Sequence, residues 1–151
     1  MQHRIAVGAL VEHERKILMV RHYKAGAYDF WVAPGGGVQG TEDLRDAVRR
    51  EVLEECGLYV EPQTVAYIEE FYKPETRECK FWFTARLLGG ALNATAPEAV
   101  QEYIVEAAFL SREEFEGKII FPPMLHDEYW TDMAAGGQFP KYVGIREMKF
   151  Y

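Results

Sequence analysis

Only two cysteines, Cys56 and Cys79, occur among 151 residues, which excludes a disulfide framework and suits a reducing compartment. No apolar run reaches the roughly 18 residues that a membrane-spanning helix needs, and the N-terminus carries no signal-peptide pattern. A cytoplasmic protein without a membrane partner is expected. Basic residues are scarce: 17 Lys and Arg face 24 Asp and Glu, for a formal charge of −7. That balance argues against a general nucleic-acid binder, because phosphate backbones call for basic surfaces, so no stable nucleic-acid complex is expected. It leaves small anionic substrates open, since a metal ion can carry their charge. Internal repeats, low-complexity segments and linkers are also missing, and the length fits one domain over residues 1–151. The glycine run at Gly35, Gly36 and Gly37 is followed by no Gly-Lys-Ser/Thr, so it is not a P-loop.

What the chain does have is concentrated between Gly36 and Leu58, in GGVQGTEDLRDAVRREVLEECGL. A glycine turn leads into one helix and a glycine stop. Thr41 suits an N-cap, and Glu42 and Asp43 place negative charge at the positive end of the helix dipole. Gly57 supplies a left-handed stop. At about 100° per residue, Leu44, Ala47 and Val48 share one face. Glu51, Glu54 and Glu55 continue nearly the same arc. The stripe begins apolar and turns acidic.

Such a stripe is costly. Glu54 and Glu55 lie beside the negative end of the dipole, unfavourable by roughly 0.3–1 kcal/mol each. Carboxylates about 6 Å apart repel by roughly 2–3 kcal/mol at an effective dielectric of about 20. Arg49 and Arg50 offset part of this; a divalent cation would offset more and turn the repulsion into a ligand set. A solvated acidic helix end is the plainer alternative, and it stays open on charge alone.

The spacing adds to this. Gly36 is followed after five residues by Glu42, and after seven more by Arg50-Glu51. Then come Val52, one free position, Glu54-Glu55, another free position, Gly57 and Leu58. This pattern resembles the signature of the Nudix hydrolase family (MutT-like) at every specified position, over 23 of 151 residues. The resemblance implies an α/β Nudix fold, an α/β/α sandwich around a mixed β-sheet. It implies that Glu51, Glu54 and Glu55 hold Mg2+ or Mn2+. It implies that Arg50 pairs with Glu42 to lock loop to helix, and that Gly36 and Gly57 shape the loop and the helix end. Magnesium suits such a site: it takes oxygen ligands and keeps positions for water and substrate phosphates.

The remaining segments are expected to hold or decorate this site. Residues 4–11 and 16–23 read as a strand hairpin around a polar turn at 12–15. Arg21, at the end of its second strand, is a candidate contact for a substrate phosphate, or a plain surface arginine; His22 is a weaker candidate. Phe30 to Ala33 reads as extended and runs into Pro34 and the three glycines, which let the backbone approach a phosphate closely. Residues 58–72 read as a strand interrupted near Pro62-Gln63, and residues 79–88 as a strongly alternating strand. Residues 89–100 read as a loop, and Tyr103 to Leu110 as a strand followed by a short helix capped by Ser111. Glu102, where that loop meets its strand, is a candidate further base or ligand, with solvated surface as the alternative. Residues 122–135 suggest a proline-started helix and residues 139–151 an extended segment. This aromatic tail either closes the pocket, forms a homodimer contact or packs as core.

The expected activity is metal-dependent hydrolysis of a diphosphate bond in a nucleoside diphosphate linked to another group. Glu54, Glu55 and Glu102 are the catalytic candidates. Pro74 stands 16 residues beyond Leu58, as in some family members that act on ADP-ribose, and also suits a simple turn. ADP-ribose-like compounds, nucleotide sugars and nucleoside triphosphates all remain candidate substrates. A sensor that binds a nucleotide diphosphate without cleaving it is the alternative from another class.

Overall fold

The computed structural model describes every residue except 150. The chain opens with β1 (Gln2–His13) and β2 (Lys16–Lys24). Glu14 and Arg15 turn between them, both at positive φ (51° and 63°), the geometry that tight hairpins need. β3 (Tyr28–Val32) and the short β4 (Gly35–Gly37) lead to α1 (Leu44–Cys56). β5 (Leu58–Lys73) and β6 (Thr76–Gly90) form a long hairpin. α2 (Pro97–Gln101), β7 (Ile104–Ser111), β8 (Ile120–Phe121), α3 (Glu128–Ala134) and β9 (Lys141–Glu147) complete the order.

The strands form one mixed sheet, in the order β8-β3-β2-β1-β6-β5-β9, with β4 on β1 and β7 on β2. β1 meets β2 only beside the turn, at Glu12 and His13. Beyond that point the two strands take different partners. β2 pairs with β3 and β7, while β1 runs parallel to β6 from Gln2 to Val11 and pairs with β4 at Ala6 to Gly8. One row therefore reads Gly37, Ala6, Lys80 across β4, β1 and β6. Side chains in register point to the same face of a sheet.

The core lies against both halves of this sheet. Val7, Leu10, Ile17, Leu18, Met19, Val20, Tyr67 and Trp82 are all essentially buried. α1 adds Ala47, Val48, Val52 and Cys56, the apolar arc of its sequence. No helix among the described residues is long and apolar enough to cross a membrane.

Several boundaries differ from the sequence reading. Asp43, not Thr41, caps α1: its Oδ1 accepts the Arg45 N–H at 2.8 Å. The reason is the turn before it, where the Glu42 carboxylate accepts the Gln39 N–H at 2.8 Å and delays the first helical residue. β5 runs through Pro62, but its ladder with β6 breaks just after it, at Gln63 and Thr64, where the sequence reading placed an interruption. The sheet absorbs the missing N–H by shifting register between Pro62 and Val65. The segment 89–100 is not all loop, because a helical turn begins at Pro97 and buries Ala99. Ser111 and Glu114 cap each other reciprocally, at 3.2 Å in both directions, over a single 3-10 turn. The helix read over 122–135 splits into a 3-10 turn (Pro123–Leu125) and α3, because Asp127 leaves helical geometry at φ −139°. The extended segment read over 139–151 contains β9, parallel to β5; Phe150 in that segment lies outside the described residues.

Candidate active site

α1 is aimed at the glycine strand. Gly57 ends it in the left-handed region, φ 74°, with its N–H bonded to Leu53 O. This fixes which turn faces β4. Glu55 is buried, and its Oε1 accepts the Gly35 N–H at 2.9 Å. Glu51 is also buried, and a Cβ on Gly36 would lie 2.6 Å from its Oε1. A side chain at position 36 would therefore push the Glu51 carboxylate aside. Arg50 spans the loop and the helix. Its Nε and Nη2 meet Glu42 at 3.1 and 2.6 Å, and Nη2 also reaches Gly37 O at 3.1 Å. Its Nη1 bridges Glu51 at 2.8 Å and Glu54 at 3.3 Å.

Electrostatics follow from this crowding. Burial raises the Glu55 carboxyl well above its ordinary range, and the charges of Glu51 and Glu102 push it further. Burial also raises Glu51, against the opposing pull of Arg50. Glu42 is lowered by its hydrogen bonds from Arg50. Carboxylates packed this way gain from any cation that enters.

Glu55 and Glu102 line the same cavity of about 180 Å³ as Gly35, Gly36 and Gly37. α2 and the turn after it carry Glu102 there, 47 positions beyond Glu55 in the sequence. Arg21 lies elsewhere. It pairs with Asp29 at 2.8 Å and lines a separate cavity with Asp29, Trp31 and Glu106. Strand alternation explains this: His22 turns into the first cavity, so its neighbour turns away.

The donor set suits a hard divalent cation. Glu51, Glu54 and Glu55 offer carboxylate oxygens only, as Mg2+ or Mn2+ requires. The cradle at Gly36 leaves Glu51 the room a side chain would take. Among the described residues, no three His, Cys, Asp or Glu side chains already converge as a metal cage. Arg50 Nη1 holds Glu51 and Glu54 instead, while its other two nitrogens keep Glu42 and Gly37.

Among the cavity's charged and aromatic residues, the sequence reading missed Arg4, Phe71, Glu78, Lys80 and Tyr151. Lys80 gave no local signal. Its face of β6 also carries Glu78, Thr84 and Arg86 beside Trp82, so in the sequence it reads as one more polar position, and only its burial in the sheet sets it apart. His22, only a weak candidate in the sequence, also lines the cavity. It stacks on Phe30, with centroids 4.9 Å apart, and its Nδ1 lies 3.1 Å from Glu102 O. Burial pushes its pKa down to about 4.

Comparison with known proteins agrees with the fold and with the spacing. The NUDIX domain family model matches residues 2–128. Human 8-oxo-dGDP phosphatase NUDT18 is 30% identical over 122 residues, covering 81% of this chain and 36% of its own length. The RNA pyrophosphohydrolase of Bartonella henselae is 28% identical over 151 aligned positions, covering 89% of this chain and 79% of its own. Among solved structures, a NUDIX hydrolase from Nitrosomonas europaea superposes with a TM-score of 0.74 at 24% identity, covering 92% of this chain and 93% of its own. That last likeness speaks for the fold. The chain spans between 27% and 36% of the length of the NUDT18 relatives it matches.

Proposed function

The chain belongs to the NUDIX family, and from that premise we propose that it is a metal-dependent pyrophosphohydrolase. Its substrate is a nucleoside diphosphate linked to a further group, and the bond cleaved is a phosphoanhydride. The relatives' names support the phosphoanhydride rather than the further group: one is a phosphatase of 8-oxo-dGDP, another a pyrophosphohydrolase of RNA. The observation that carries the reading is Glu55, a fully enclosed carboxylate tied to the glycine strand and crowded by Glu51 and Glu102.

Each residue then has a task. Glu51, Glu54 and Glu55 hold Mg2+ or Mn2+. A bound ion would supply charge neutralisation at the diphosphate, polarisation of phosphorus and a lowered pKa for a water. Gly36 and Gly37 let the phosphates approach the backbone. Glu102, in the same cavity, accepts the proton of the attacking water on a carboxylate oxygen. Arg50 and Glu42 hold loop and helix in register. Two free thiols, Cys56 and Cys79, fit a reducing compartment, the cytoplasm.

A substrate panel tests this. Nucleoside triphosphates, 8-oxo-dGDP, ADP-ribose, nucleotide sugars and dinucleoside polyphosphates are incubated with Mg2+ or Mn2+, and the products are resolved. Metal-dependent release of a nucleoside monophosphate from at least one compound is expected. No cleavage of any compound with either metal would overturn the proposal.

A further inference from the structure

The cavity holds a buried cation that the acidic machinery does not use. Lys80 is 4% exposed. Its Nζ donates to the Tyr151 hydroxyl and lies 4.4 Å from the centre of the Trp82 ring. Among the described residues it makes no ion pair with a carboxylate within 4.0 Å. The buried acid beside it in the sheet, Glu69, is already engaged, by Trp82 Nε1 at 3.2 Å and Arg146 Nε at 3.4 Å. A buried ammonium without a carboxylate partner is costly. It keeps its charge here: burial lowers its pKa, but Tyr151, Glu78 and Glu55 raise it on balance.

Its placement gives that charge a use. Lys80 lies in the row Gly37-Ala6-Lys80, two strand spacings from the glycine strand, which is roughly 10 Å. The residue between them is an alanine, so no bulky side chain stands in the way. Gly37, Lys80 and Glu55 all line one cavity. An ammonium at that distance from the glycine strand faces the far end of a diphosphate whose near end lies at the glycines. We propose that Lys80 is a substrate-binding residue that contacts a phosphate oxygen, with the Tyr151 hydroxyl holding its Nζ in place. The inference rests on the hydrolase reading for its substrate class, and Lys80 acts by binding, not by chemistry.

Lys80→Met removes the charge and keeps the length, in surroundings of Trp and Tyr that accept an apolar chain. The probe is α,β-methylene-ADP, which cannot be cleaved at its diphosphate, titrated calorimetrically with Mg2+ into wild type and variant. The dissociation constant is expected to rise at least about tenfold in Lys80→Met and to stay within about threefold in Lys80→Arg. Adenosine, which has no phosphate, is expected to bind wild type and variant alike. With a cleavable substrate, KM rises about tenfold while kcat changes by less than about threefold. Equal affinity of wild type and Lys80→Met for the analogue would overturn the proposal, as would an equal loss for adenosine or no binding to wild type at millimolar concentration. Should Lys80→Met fail to fold, Lys80→Gln carries the same comparison. If the substrate panel shows no cleavage but Lys80 still governs analogue binding, only the hydrolase reading falls. If cleavage occurs and Lys80→Met changes neither constant, only this inference falls.

Discussion

Arg50 meets Glu42 with two donors, Nε on Oε2 at 3.1 Å and Nη2 on Oε1 at 2.6 Å, and so ties the loop before the helix to its middle turn. A third nitrogen of the same guanidinium bridges Glu51 and Glu54. A lysine ammonium cannot reproduce this fork. Arg50→Lys is expected to lower unfolding free energy by about 1–3 kcal/mol in urea denaturation, since bonds between charged, largely buried groups are lost. Turnover should fall with it. A variant as stable and as active as wild type would show that the fork has no structural role.

Glu55→Gln separates activity from stability. The amide still accepts the Gly35 N–H but removes one of the crowded charges. In metal-free buffer the variant should be as stable as wild type or more so, because a buried charge beside like charges is relieved. Turnover should drop by about 100-fold or more, since the residue is asked to supply at least 2–3 kcal/mol in the transition state. Glu54→Gln should also lose most turnover. Undiminished rates in both single variants would remove these residues from the machinery.

Gly36→Ala tests the cradle. Its Cβ would stand 2.6 Å from Glu51 Oε1 and force that carboxylate aside. Far-UV circular dichroism should remain that of the wild type, while the thermal shift induced by Mn2+ disappears. A full Mn2+ shift in Gly36→Ala would mean that Glu51 does not hold the metal.

His22 gives a pH signature. Its folded pKa is about 4, against an ordinary value of 6.5. Between those values the unfolded chain binds more protons than the folded one. The stability it contributes is therefore present above pH 6.5 and lost as pH falls towards 4, by about 3 kcal/mol in all. His22→Gln removes this titration. The stability difference between wild type and variant should narrow, or change sign, as pH falls through that window. A difference independent of pH would show that His22 is not held neutral by burial.

How much of this was visible in the sequence follows from what is local. The helical period set Glu51, Glu54 and Glu55 on the arc begun by Leu44, Ala47 and Val48, and Gly57 marked where that helix ends. Both depend on residues within a few turns of one another. Even so, the cap moved from Thr41 to Asp43, because Glu42 was drawn into a turn with Gln39. Arg21 resembled a phosphate contact from its neighbours in the chain, yet strand alternation sent it to Asp29 and Glu106.

By itself, then, the sequence determined the acidic helix, its glycine stop and the spacing that marks the family. Only the tertiary structure decided what stands around that helix. It carried Glu102 to Glu55 and set Lys80 in register with Gly37 across β1. The reason is physical: helix periodicity and caps are written in adjacent residues, whereas the pairing of distant strands depends on sheet register, which neither strand encodes alone.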